Sequence, residues 1–157
     1  MGIGMAKKDF KKLVRKWCEE EGLFDEEVED KNSEFNYVIN YPLELEHKIN
    51  ILQPGDSQDK IIVLSGTRFE PETVERMRNL PQKELEDLLW DIRLTLCARP
   101  TEFELRRPED QGAPEVLVIT ALIYSDGLSK DRLMTAIRDV YKSKLLAVWK
   151  IQQRTEV

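Results

Sequence analysis

The sequence predicts an α+β fold: a five-stranded antiparallel sheet with amphipathic helices, in the order α-β-β-β-α-β-β-α. Three observations predict it. From Phe35 to Ile51 one parity carries Phe35, Tyr37, Ile39, Tyr41, Leu43, Leu45, His47, Ile49 and Ile51, while the other carries Asn36, Asn40, Pro42, Glu44, Glu46, Lys48 and Asn50. Side chains of a strand point alternately to opposite faces, so this stretch reads as sheet with one face buried and one wet. That pattern belongs to antiparallel strands, because parallel strands covered on both faces read as continuous apolar runs. The second observation is apolar spacing of the helical kind at both ends of the chain and in its middle, and the third is a further pair of strand-like segments after the middle helix.

The first helix is expected from about Ala6 to Glu21, with Phe10, Leu13, Val14, Trp17 and Cys18 on one face and Gly22 as its stop. Lys7, Lys8, Lys11, Lys12, Arg15 and Lys16 fill the rest of its early turns, and acids from Glu19 to Asp30 follow. This order opposes the helix dipole, and pairs such as Arg15–Glu19 offset it only slightly. After an acidic connector come the alternating strands. A three-residue connection at Pro42-Leu43-Glu44 would pair Tyr41 with Leu45 and keep the parity, although it lacks the usual glycine, so one long bent strand is the alternative. Pro54-Gly55-Asp56-Ser57 is a turn, and Lys60 to Ser65 reads as a third strand buried on both sides.

Pro71-Glu72 opens the middle helix, which Pro81 interrupts and restarts at its own first position. Leu85, Leu88, Leu89, Ile92 and Leu96 then form a core stripe, while Trp90, Leu94 and Cys97 fall near the opposite side. This second helix therefore has two apolar faces, and one is left to dock onto another chain or under the protein's own loop. Thr101 to Leu105 alternates as a fourth strand, Gln111 to Pro114 connects, and Val116 to Tyr124 is a fifth. Asp126-Gly127 turns the chain into a last helix capped by Ser129, with Leu128 and Leu133 placed as a hydrophobic staple. That helix carries Leu133, Ile137, Val140, Tyr141, Val148 and Ile151. One tryptophan sits on each helix: Trp17, Trp90 and Trp149.

No repeat or linker divides the 157 residues, so residues 1–157 are expected to form one domain, with residues 1–5 as a flexible extension. No apolar run approaches the roughly twenty residues that span a bilayer, and the start lacks a secretory signal's apolar stretch, so a cytoplasmic protein is expected. A net charge of −6 disfavours nucleic acid and anionic lipid as partners. The basic face of the first helix has no interleaved aromatic and reads as a solvated face.

The element order resembles the type III secretion chaperone-like fold. Within that fold the chain resembles a family of uncharacterised archaeal proteins, through Phe35 to Pro42, Ile49 to Pro54, Lys60 to Val63, Pro71-Glu72 and the helix from Leu85 to Leu96. The resemblance runs from about Phe10 onward and includes no known active site. It implies a small dimeric protein that binds segments of other proteins. In secretion chaperones the second helix commonly forms the dimer contact, which matches the second apolar face here.

Candidate chemistry is thin. His47, the one histidine, lies on the apolar parity of a strand, where a hydrogen-bonded or edge position is expected rather than catalysis. Cys18 and Cys97 lie in different helices, have no metal-ligand spacing and read as buried free thiols. Carboxylates such as Asp25-Glu26-Glu27 and Glu84/Glu86/Asp87 are numerous enough that some pair will always mimic an acid–base couple. No hydrolase elbow, phosphate-cradling loop or dinucleotide fingerprint occurs. The expectation is a non-catalytic, chaperone-like or adaptor protein with no cofactor, paired as a homodimer through Trp90, Leu94 and Cys97. The alternatives are a small-molecule or nucleotide-binding regulatory domain and, third, an uncharacterised enzyme.

Overall fold

Apolar spacing and a glycine stop bound the first helix, α1 (Lys7–Glu20): Phe10, Val14 and Cys18 are buried while Lys11, Lys12, Arg15 and Lys16 stay exposed. Gly22 follows at φ 71°, a left-handed conformation that glycine adopts without a Cβ penalty, and the Leu23 N–H returns to the Cys18 carbonyl at 2.8 Å to close the helix end. This computed structural model describes residues 7–45, 47–108 and 112–156, with the side chains of 7–9 excepted. The expected extension at residues 1–5, and Glu46 and Gln111 of the expected strand and connection, lie outside the described residues.

The chain then runs β1 (Phe24–Glu27), β2 (Ser33–Asn40), β3 (Lys48–Pro54), β4 (Lys60–Arg68), α2 (Pro71–Arg78), α3 (Gln82–Cys97), β5 (Glu102–Arg106), β6 (Val116–Tyr124), a short 3-10 turn (Ser125–Gly127) and α4 (Lys130–Thr155). The antiparallel sheet has six strands, in the order β1-β2-β3-β4-β6-β5, where five were expected. The missed strand is β1, whose Phe-Asp-Glu-Glu offers one half-buried apolar residue and three exposed acids. It is a strand because β2 supplies its hydrogen-bond partners, with Phe24 opposite Ile39 and Glu27 opposite Tyr37. Its charge suits a sheet edge, where acids discourage pairing with another chain.

The alternating segment divides differently from expectation. Tyr41 donates its N–H to the His47 carbonyl at 2.9 Å, Ile39 faces Ile49 and Tyr37 faces Ile51. Five residues therefore turn the chain, not three. Leu43 and Leu45 leave the sheet and stand 58% and 63% exposed. Shifting a register by two residues preserves parity, so the pattern fixed the faces without fixing the partners. β4 is buried on one side only: Ile61, Val63 and Ser65 are covered, while Ile62 and Leu64 are half-buried.

The middle helix is two helices, giving four α-helices among the described residues. α2 ends at Arg78, and Pro81 stands as the cap before α3, at φ −52° and ψ 142°, rather than as its first helical residue. Ser129 caps α4 as expected, its hydroxyl accepting the Arg132 N–H at 3.0 Å. Leu133 is buried and Leu128 half-buried.

The described residues form two compact units, one from those within 1–64 and 121–138 and one from those within 65–120 and 139–157. In the first, α1 packs on β1 and β2, and Phe35, Tyr37, Ile39, Ile49 and Ile51 fill the core with Val14 and Cys18. In the second, Met77, Leu88, Leu89, Ile92 and Leu96 are buried together with Leu117, Ile119, Val140, Ala147 and Ile151.

Candidate functional site

Glu84 lies in the first turn of α3, favourably placed for the helix dipole, and the helix runs sixteen residues without an internal proline or glycine. Its buried residues are Leu85, Leu88, Leu89, Ile92 and Leu96. At 100° per residue, Trp90, Leu94 and Cys97 lie roughly 120–180° around the helix from Leu85. The structure places them accordingly: Trp90 is 56% exposed, Leu94 67% exposed, and Cys97 is an exposed free thiol. They share one arc at i, i+4 and i+7 spacing. The Arg93 guanidinium lies 5.1 Å from the Trp90 ring centroid, a cation–π contact that holds the indole while leaving its other surface open.

α4 runs antiparallel beside α3 in this unit. Asp91 pairs with Lys150 at 2.9 Å, and Arg99 donates from Nε to the buried Ser143 hydroxyl at 3.1 Å, so the chain advances along one helix as it recedes along the other. Thr101 Oγ1 lies 2.9 Å from the same hydroxyl, and the Arg99 guanidinium donates to the Asp139 carbonyl at 3.3 Å. This network fixes the relation of the two helices. Trp149, one residue before Lys150, is 61% exposed. Sequence reasoning placed Trp149 on the helix without assigning it a face. The signal was available: it lies roughly 160° around α4 from Leu133, opposite the core stripe.

What this surface can do is desolvate aromatic and aliphatic area. His47 is half-buried at the end of the five-residue turn, away from either cysteine's helix in sequence, and its carbonyl accepts from Tyr41. The two thiols part company: Cys18 is buried as expected, and Cys97 is exposed, because it belongs to the outer arc of α3. Among the described residues no cluster of three or more His, Cys, Asp or Glu is placed to hold a metal, and no helix is long and apolar enough to cross a membrane. In the first unit a cavity of about 320 Å³ lies beside the turn at Pro42 and Leu43, with Glu21, Glu44 and Arg138 around it.

Three solved structures share this fold. An uncharacterised protein from Methanothermobacter thermautotrophicus is 36% identical over 92% of this chain and 98% of its own, with a TM-score of 0.87. A chain of the HopA1-SchA chaperone-effector complex matches at 14% identity and TM-score 0.54, over 98% of both chains. YbjN from E. coli matches at 14% identity and TM-score 0.50, over 85% of this chain and 87% of its own. These last two likenesses are of fold alone. No curated protein matches the chain. Residues 10–151 match the family described as "Uncharacterized conserved protein (DUF2299)", and the chain belongs to that family.

Proposed function

We propose that the protein is a non-catalytic, chaperone-like adaptor that binds another protein and pairs with a second copy of itself through the outer face of α3. The observation that carries this reading is the exposed arc of Trp90, Leu94 and Cys97 on a helix whose other side is fully engaged in the core. Contiguous exposed apolar residues mark interaction surfaces, and tryptophan and arginine are the residues that most often dominate contact energy there. Here Trp90 and Arg93 stand together. The fold shared with a chain of the HopA1-SchA chaperone-effector complex adds an analogy of architecture.

Light scattering after size exclusion tests the pairing. The wild-type protein should run at twice its 18.4 kDa mass, and Trp90→Asp at the monomer mass with its circular dichroism unchanged. A variant that keeps the dimer mass ends the α3 proposal. Affinity capture from the native source at gentle salt tests the adaptor half. One protein enriched near stoichiometry supports it, and a capture holding only the bait removes it.

A further inference from the structure

The first unit holds the cavity of about 320 Å³ beside the turn from Tyr41 to His47. Two backbone devices shape it. Gly22 ends α1 in its left-handed conformation, and the next residue, the buried Leu23, enters the wall. The Leu45 N–H closes the turn on the Pro42 carbonyl at 3.1 Å. Leu43 of that turn comes within 3.8 Å of the place a Cβ on Gly22 would take. Pro42 and the half-buried Met134 of α4 extend the apolar lining.

Three charged residues share this lining, and they are not equivalent. Glu21 is already engaged, its carboxylate 2.9 Å from the Lys130 ammonium. Glu44 lies in the turn, and Arg138 lies one helical turn beyond Met134 on α4. Both are exposed, and among the described residues neither makes a hydrogen bond or an ion pair. An exposed charge is solvated and calls for no partner by itself. What marks this site is a cation and an anion, unpaired with each other, on one apolar cavity.

We propose that this cavity binds a free amino acid with an apolar side chain. Arg138 takes the α-carboxylate through its planar fork, Glu44 takes the α-ammonium, and the side chain lies against Leu23, Leu43 and Met134. Other small ligands leave a group unmatched. A simple carboxylate meets the Glu44 charge, and a simple amine meets that of Arg138. A neutral apolar molecule strips water from both charges and returns no hydrogen bond. The volume lies at the lower end of the roughly 300–1,000 Å³ usual for ligand sites, which suits a single amino acid. Every residue of this site belongs to the first unit and the α3 face to the second, so the proposal does not rest on pairing or client binding.

Calorimetric titration of the full chain with leucine, methionine and phenylalanine tests it. At least one should bind saturably at one site per chain. The controls for leucine are isocaproate, which lacks its amine, isoamylamine, which lacks its carboxylate, and glycine, which lacks the apolar side chain. Each control should bind at least tenfold more weakly than the best amino acid. Arg138→Gln and Glu44→Gln replace exposed side chains, so circular dichroism should stay unchanged while each weakens amino-acid binding at least fivefold. Added sodium chloride should weaken the wild-type binding, because it screens both contacts. No saturable binding of any of the three, a control that binds as tightly as the best amino acid, or wild-type affinity in either variant would each overturn the proposal.

Discussion

Burial pushes the Cys18 thiol up to about 12, and the neighbouring Glu19 carboxylate adds to the effect. Tyr37 is likewise raised to about 12, first by burial and then by Glu27, while its hydroxyl donates to the Lys11 carbonyl at 3.1 Å. Both are acids whose folded pKa exceeds the unfolded value. Their stabilising contribution is therefore complete below pH 9–10 and is lost as pH rises towards about 12, because the unfolded chain releases these protons first. For Cys18 the three-unit difference corresponds to an upper limit on the order of 4 kcal/mol. Thiol labelling of the Trp90→Asp variant, which removes the proposed pairing, should along an alkaline titration show Cys97 reacting in the folded protein and Cys18 only as the fold opens in that window. Early labelling of Cys18 with native circular dichroism would refute its burial. At this scale the sequence told part: the helical wheel put Cys18 on the core stripe and Cys97 on the outer arc, yet both thiols were expected to be buried and only Cys18 is. It could not tell that Lys144, unremarkable in the chain, would share a cavity with Thr67, because residues so far apart are joined only by folding.

Elements were legible where local signals agree. Ser129 precedes the apolar spacing of α4 and caps it, with the hydroxyl accepting the Arg132 N–H. Ser129→Ala should cost about 1 kcal/mol of stability by urea unfolding, and Ser129→Asp should restore most of it. No loss in the alanine variant would mean that the cap contributes nothing. Two elements were misread because their signals were not local. β1 carries acids that no strand propensity favours, and β2 makes it a strand by pairing with it. The turn from Tyr41 to His47 kept the alternation of a strand, yet its Leu43 and Leu45 point away from the core. Period-2 patterning survives a two-residue change of register, so it is silent on where the hairpin turns.

For the whole molecule, net charge bears on the proposed pairing of two copies. Each carries −6, so electrostatics opposes association at low salt. The proposed pairing through Trp90 and Leu94 would be apolar, so added sodium chloride would screen the repulsion beyond about 8–10 Å without weakening that contact. Sedimentation velocity should show dimerisation hold or tighten as salt rises. Weakening with salt would assign the contact to ion pairs instead. The sequence by itself determined the α+β class, the buried parity of the strands, the core stripes of the helices and the outer arc of α3, because burial follows the 2- and 3.6-residue periods. Only the tertiary structure decided the sixth strand, the five-residue turn and the cavity at Lys144, whereas the break between α2 and α3 was already marked by Pro81. Each of those depends on hydrogen-bond partners or neighbours distant in the chain, which no local period encodes.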